Sequence, residues 1–572
     1  MNIKRIIATT TAAAAVTGVI ALAAGAPARA DGLSMSPPTS SDAATPATTA
    51  DELSQLHANQ QLLEQRLDQL EQIAQVGPAH PQLPPGTASL AGSFPRSFLI
   101  PGTDTSILIG GQVTFDAGYW ISGGVSNNDN GVVPSVNGIA LLSSITLSSG
   151  PGSSAAARNR DDNVLLASPY ASRLHFETRT PTAFGEADTV IEFDFLGCAS
   201  ANHTNCSNNL GTTNSIIPRL RLAYATLGPF MAGQNWAVGF DLAASPETFD
   251  TGGIPGQWGP ARVPEVTYTM QLPTMVGPAA LEVGLVTPES SAGGPWGGTL
   301  ASDTSTAALG STAVAGLNGG TPAISTNPLH TTWPDLAAAL TFQQPWGHLQ
   351  FKGVVTDQIL DDGSHLDQQY IGYGGGISGN VQPHWLGWEK DNFGFNTLIG
   401  DGLGRWAEGG ASGTFFPALA TNYGSNAALG AGGLLTATQA ALAASTGNTC
   451  AYGATNASAA ESTAACASGV RATTIPEWGA EVNYQHWWTP TIRSTADVGI
   501  LYQDVPTSIV GTAADGGPTG LNKTLVLSHV NLIWSPVPFV NTGFEFVYGH
   551  RQTIQNATGN EYMVDYEFTM KF

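Results

Sequence analysis

From Thr105 onward the chain alternates with a period of two. Ile107, Ile109, Val113, Phe115, Ala117 and Tyr119 share one parity, while Ser106, Gln112, Thr114 and Asp116 share the other. The last segment repeats the pattern: Tyr562, Val564, Tyr566, Phe568, Met570 and Phe572 alternate with Met563, Asp565, Glu567, Thr569 and Lys571. Successive side chains of a β-strand point to opposite faces. Alternation this long exceeds the usual strand of a soluble sandwich and suits a strand with hydrocarbon on one side and water on the other. In hydrocarbon every backbone N–H and C=O must be paired, so such strands must close on themselves.

Between these ends further strands are expected at 163–180, 186–196, 216–227, 229–238, 262–273, 276–288, 333–344, 347–360, 367–380, 389–400, 472–488, 491–504, 520–535 and 539–552. The expectation is an all-β protein, a 16-stranded antiparallel transmembrane β-barrel. Tight-turn sequences (Leu227-Gly228-Pro229, Pro273-Thr274, Pro345-Trp346-Gly347, Thr489-Pro490, Ser535 to Pro538) follow even-numbered strands. The long stretches 121–162, 197–215, 239–261, 289–332 and 401–471 follow odd-numbered ones. Short turns at one end and long loops at the other is the outer-membrane arrangement, with the chain ends in the periplasm of a Gram-negative cell. Trp487, Trp488, Trp534, Tyr548, Tyr562 and Tyr566 are expected in the interfacial girdles.

The segment before this region divides in four. Residues 1–30 read as a signal peptide: Lys4 and Arg5, an apolar run from Ile6 to Ala24, then Ala28-Arg29-Ala30. Residues 31–50 are expected to be disordered. Residues 51–76 form a coiled coil, with Leu53, Gln60, Leu67 and Ala74 at a and Leu56, Leu63 and Leu70 at d, a pattern for self-association. Residues 77–97 are a Pro/Gly linker, and 98–572 are the barrel.

Removing residues 1–30 leaves 17 basic against 43 acidic residues, a net charge of −26, which disfavours nucleic-acid partners. The four cysteines stand as two close pairs, and an oxidising compartment favours disulfides Cys198 with Cys206 and Cys450 with Cys466 over a metal site. Both pairs fall in long, external loops. No HExxH, GxSxG or P-loop pattern occurs, and Gly400-Asp401-Gly402-Leu403-Gly404 reads as a strand end and turn. No enzyme, cofactor or metal is therefore expected.

The stretches 98–120, 171–197, 218–240, 246–253 and 391–407, with the strand ending at Phe572, resemble the DcaP-like trimeric outer-membrane porins. The block from Arg219 to Trp236 (RLRLAYATLGPFMAGQNW) is the most specific of them. The resemblance implies a periplasmic coiled coil, a sixteen-stranded barrel, a homotrimer and passage of small anionic solutes such as dicarboxylates. Insertions at 289–332 and 408–471 depart from the family pattern.

The expected lumen chemistry follows from parity. Arg173, His175, Glu177 and Arg179 oppose Leu174 and Phe176, and Arg219 and Arg221 oppose Leu220 and Leu222. A guanidinium facing lipid near the midplane costs about 2–4 kcal/mol, so these point into water. With Arg262 they form a candidate Arg wall. Loop 239–261, after the fifth strand, offers Asp241, Glu247 and Asp250 as a facing acidic row. A transverse field across such a narrowing would orient polar solutes. The plainer alternative is that the arginines brace the wall by pairing with Glu177, Glu192, Asp194, Glu481 and Asp497. The functional expectation is a passive outer-membrane channel for small polar, anionic solutes, in contact with outer-membrane lipid and reaching peptidoglycan through its N-terminal region. The alternative is a structural or adhesive barrel whose loops bind an external partner.

Overall fold

The computed structural model describes residues 91–572 apart from 124–144, 154–161, 197–217, 251, 261, 275–276, 289–290, 294–298, 302–328, 362–366, 384–388, 408–417, 422–471 and 511–520. The signal peptide, the coiled coil, most of the linker and all four cysteines lie outside the described residues.

Sixteen strands follow one another: β1 (Ser106–Ser122), β2 (Val164–Ser168 continuing as Arg173–Thr182), β3 (Gly185–Asp194), β4 (Arg219–Leu227), β5 (Phe230–Trp236), β6 (Arg262–Thr274), β7 (Gly277–Val286), β8 (Asp335–Gln344), β9 (Gly347–Asp361), β10 (Asp367–Val381), β11 (Asn392–Asp401), β12 (Pro476–Trp487), β13 (Ile492–Gln503), β14 (Asn522–Val537), β15 (Val540–Thr553) and β16 (Thr558–Lys571). Each is antiparallel to its neighbour in sequence, and β1 pairs with β16 from Gln112↔Lys571 to Ser122↔Tyr562, closing the barrel. The break within β2 begins at Pro169, which has no N–H to give the ladder.

Parity sets the two faces. Phe115 and Phe568 stand 44% and 37% exposed on the outside, whereas Asp116 and Asp565 on the inside are 2% and 0% exposed. Trp488, Trp534 and Tyr562 are exposed as girdle residues require, and the Tyr562 ring packs on Tyr548 at 5.3 Å. Trp487 departs from the girdle expectation. It lies opposite Arg493, whose guanidinium sits 5.1 Å from its ring, and its indole N–H donates to Gln485. Its parity is that of Glu481 and Asn483, which places it with the inward, polar row of β12.

Long-loop segments fold into the barrel and pack against each other. Trp258, Trp406 and Ile145 are almost fully buried, and the two indoles lie 5.6 Å apart. This apolar core sits within the barrel, against the inner wall rather than between layers.

Candidate functional site

The connection between β5 and β6 crosses the interior and is fastened to strands far from its own stems. Asp241 accepts hydrogen bonds from His348 Nε2 on β9 at 2.7 Å and from Ser378 Oγ on β10 at 2.6 Å. Lys352 Nζ on β9 donates to Gly239 O at 2.9 Å, and Asn483 on β12 donates to Ala244 O at 2.7 Å. Glu247 receives the Arg493 guanidinium of β13, with Nε 2.6 Å from Oε2, and Gln485 at 2.7 Å. At the far end, Glu545 on β15 accepts the N–H groups of Phe249 and Asp250 at 3.0 and 2.8 Å. His529 Nε2 on β14 lies 3.4 Å from Asp250 Oδ2.

Close backbone approach makes this path possible. A Cβ on Gly256 would lie 2.4 Å from the Ala480 backbone, and one on Gly499 2.2 Å from Pro255 O. Burial pushes the Asp241 carboxyl up, but the hydrogen bonds from His348 and Ser378, aided by the charges of His348 and Lys352, outweigh it and hold the group below its ordinary value of 3.8.

On the other side of the barrel the arginines gather on the first strands. Asp194 accepts both Arg219 Nε at 3.0 Å and Nη2 at 2.7 Å, and also Arg221 Nη1 at 2.8 Å. Arg221 Nε reaches Glu192 at 2.8 Å, and Glu192 also receives His175 Nδ1 at 3.2 Å. Arg262 stacks over Trp236 at 5.0 Å and lies within electrostatic reach of Arg173, Arg219 and Arg221. Arg219 and Arg221 thus pair with Asp194 and Glu192, and Arg173 and Arg262 stand beside them without an ion pair among the described residues, Arg173 also within electrostatic reach of Glu567. Arg179 is not brought into this group: it pairs with Glu177 at 2.7 Å and stacks over Phe94 at 4.5 Å near the short-turn end of β2.

Asp241, Glu247 and Asp250 take partners on β9, β10 and β13–β15, so each loop acid is spent on an anchor rather than on Arg219 or Arg221. Glu192 and Asp194 are the acids that Arg219 and Arg221 meet.

The closed sixteen-strand ladder, the inward-folded third long loop and the charged inner wall coincide with a family match. The profile described as the porin subfamily matches residues 96–487, more than half of the chain. The chain belongs to the porin subfamily. Among solved structures, this porin is similar to the outer-membrane channel DcaP of Acinetobacter baumannii, with TM-score 0.52, 17% identity, and 84% of this chain and 100% of that chain covered. An anion-selective porin from Comamonas acidovorans aligns with TM-score 0.41 and 8% identity over 82% of this chain and all of that one. OprB of Pseudomonas putida aligns with TM-score 0.42 and 8% identity over 82% of this chain and 94% of that one. No curated protein sequence matches the chain. The porin is thus an outer-membrane channel for passive diffusion, with the DcaP-type barrel fold.

Several wall residues of this porin escape a linear reading. His348, Lys352, His529, Asn531 and Glu545 anchor the loop, and their signal is their inward parity alone. Two like-charged rungs, Asp116 opposite Glu567 and Glu545 opposite Asp565, also stand on the inner wall beside the loop tip.

Proposed function

We propose that this porin admits small polar solutes with a bias toward anions, dicarboxylates among them, past a constriction lined by Arg173, Arg219, Arg221 and Arg262. The observation that carries the reading is the charge imbalance of that patch. Arg219 and Arg221 pair with Asp194 and Glu192, Arg173 and Arg262 stand beside that pair with Glu567 also within electrostatic reach of Arg173, and the acids of the loop are tied to His348, Arg493 and His529. Arg219 keeps 32% of its side chain exposed, so it can meet a passing solute. A net positive patch in a narrow, poorly screened passage concentrates anions. In this reading Asp241, Glu247 and Asp250 act on the solute path by fixing the loop that narrows it, and Arg179 guards the short-turn end. The heptads of 51–76 support self-association and the resemblance to the DcaP-like porins makes it a homotrimer, with the N-terminal region on the periplasmic side toward peptidoglycan.

The test is the reversal potential in a KCl gradient across planar bilayers. The double variant Arg219→Ala/Arg221→Ala should shift it toward cation preference. An unchanged potential would remove these arginines from the constriction.

A further inference from the structure

The register of the first and last strands extends the arginine patch, through Arg173, into a second cationic group at the β1–β16 seam. Gln112 on β1 lies directly opposite Lys571 on β16 and directly opposite Arg173 on β2. Side chains so opposed have Cβ atoms about 4.5–5.5 Å apart, so the amide stands between an ammonium and a guanidinium on one inward row. The row continues from Arg173 to Asp194 and Arg219. It therefore runs from the last residue of β16 to the first of β4, a consequence of strand stagger in a closed barrel.

A segment preceding β1 adds a third cation. Ala91 pairs with Phe98, Ser93 N–H donates to Ser106 Oγ at 2.9 Å, and Phe94 lies under Arg179. This turn holds Arg96 at the β1–β16 seam, where Nη1 approaches Phe572 O at 3.4 Å. Arg96, Gln112, Arg173, His175, Glu192 and Lys571 line one cleft of about 390 Å³. Glu192 is its one acidic side chain, and both its oxygens are taken, by Arg221 and His175. Among the described residues neither Lys571 nor Arg173 has a side-chain ion pair or hydrogen bond, and Arg173 Nε is buried without a partner. A buried donor left unpaired is costly, and an oxyanion is the ligand that would satisfy it together with the ammonium beside it.

We propose that this cleft is a second anion site, at the short-turn end of the lumen, in which Lys571, Arg173 and Arg96 hold the oxygens of a small carboxylate or phosphate, with the Gln112 amide, whose Nε2 donates to Thr114 Oγ1 at 3.0 Å, beside them. It deepens the channel reading only in that its ligand is a solute using the lumen. It takes a free solute rather than a lipid headgroup because Gln112, Arg173 and His175 stand on the inward face.

Inorganic phosphate added to one side of a planar bilayer carrying the full chain tests this, with chloride current as the readout. Phosphate on the short-turn side should reduce the current at lower concentration than on the long-loop side. Lys571→Gln should raise the half-blocking concentration about fivefold, and adding Arg96→Ala should raise it further, while Lys571→Arg preserves it. Heat-dependent gel mobility verifies that each variant is folded. Equal block from both sides, or a block indifferent to Lys571→Gln, overturns the site. A response that follows anionic lipid content and ignores added phosphate makes the ligand a headgroup and overturns it too. The reversal potential in phosphate-free KCl separates the two readings. Anion preference with a block blind to Lys571→Gln retires this cleft alone; absent preference with a Lys571-dependent block retires the arginine constriction alone.

Discussion

Glu545 accepts the backbone N–H of Asp250 at 2.8 Å, although 295 residues separate them in sequence. The same carboxylate takes the N–H of Phe249 and the amide of Asn531, so one side chain on β15 holds the tip of the inward loop. Glu545→Ala removes three acceptor contacts at a buried position. Each donor left unpaired costs about 1–3 kcal/mol, and the loop tip should detach while the barrel ladder persists. Single-channel records should show larger and noisier open levels than wild type; records identical to wild type would show that the tip is held elsewhere.

Asp194 is fully buried and accepts three guanidinium hydrogen bonds. Asp194→Asn keeps the shape but removes one negative charge from the arginine patch. It should strengthen anion preference in reversal-potential measurements. It should also lower the thermal transition, because breaking a buried ion pair from one side costs about 3–5 kcal/mol, less here because Arg219 is a third exposed.

Gly256 sits at φ +92 with no room for a Cβ against Ala480. Gly256→Ala should therefore push the loop off β12 at a cost of about 1–3 kcal/mol, seen as a lower thermal transition and as new protease cleavage near 256 in the folded protein. Unchanged stability and cleavage would mean that the loop does not pass so close to the wall.

Acid should loosen the same loop. The Asp241 carboxyl is held below its ordinary value of 3.8 as described above. Asp391, before β11, is pushed up by burial but held low overall by hydrogen bonds from Tyr484, His486 and the Trp487 N–H. A carboxyl with a depressed folded value stabilises the fold fully above its unfolded value, and that stability is lost as pH falls through the folded value. The loss from these two groups should therefore begin only below about pH 4. Asp241→Asn should flatten this acid limb in chemical denaturation across that range; an identical slope would exclude Asp241 as its source.

The barrel was legible because strand parity is a local property: Phe115 against Asp116 and Phe568 against Glu567 announce two faces without reference to any other strand. Parity also turns Arg219 and Arg221 inward. It could not choose their partners. His348 with Asp241 and Arg493 with Glu247 join positions 107 and 246 residues apart, and only the folded path of the loop decides them. The loop acids are held by nearer cations on the strands they cross, partners that no local pattern announces. Trp487 has the residue type of a girdle position, but its parity with Glu481 and Asn483 places it inside.

Single-channel recording of the purified full chain in planar bilayers, with the reversal potential taken in a KCl gradient, decides whether the barrel is an open, anion-preferring channel. Stable conductance steps are expected, with a reversal potential of the sign of chloride preference. A protein that inserts and gives no steps, or steps that prefer potassium, would contradict this.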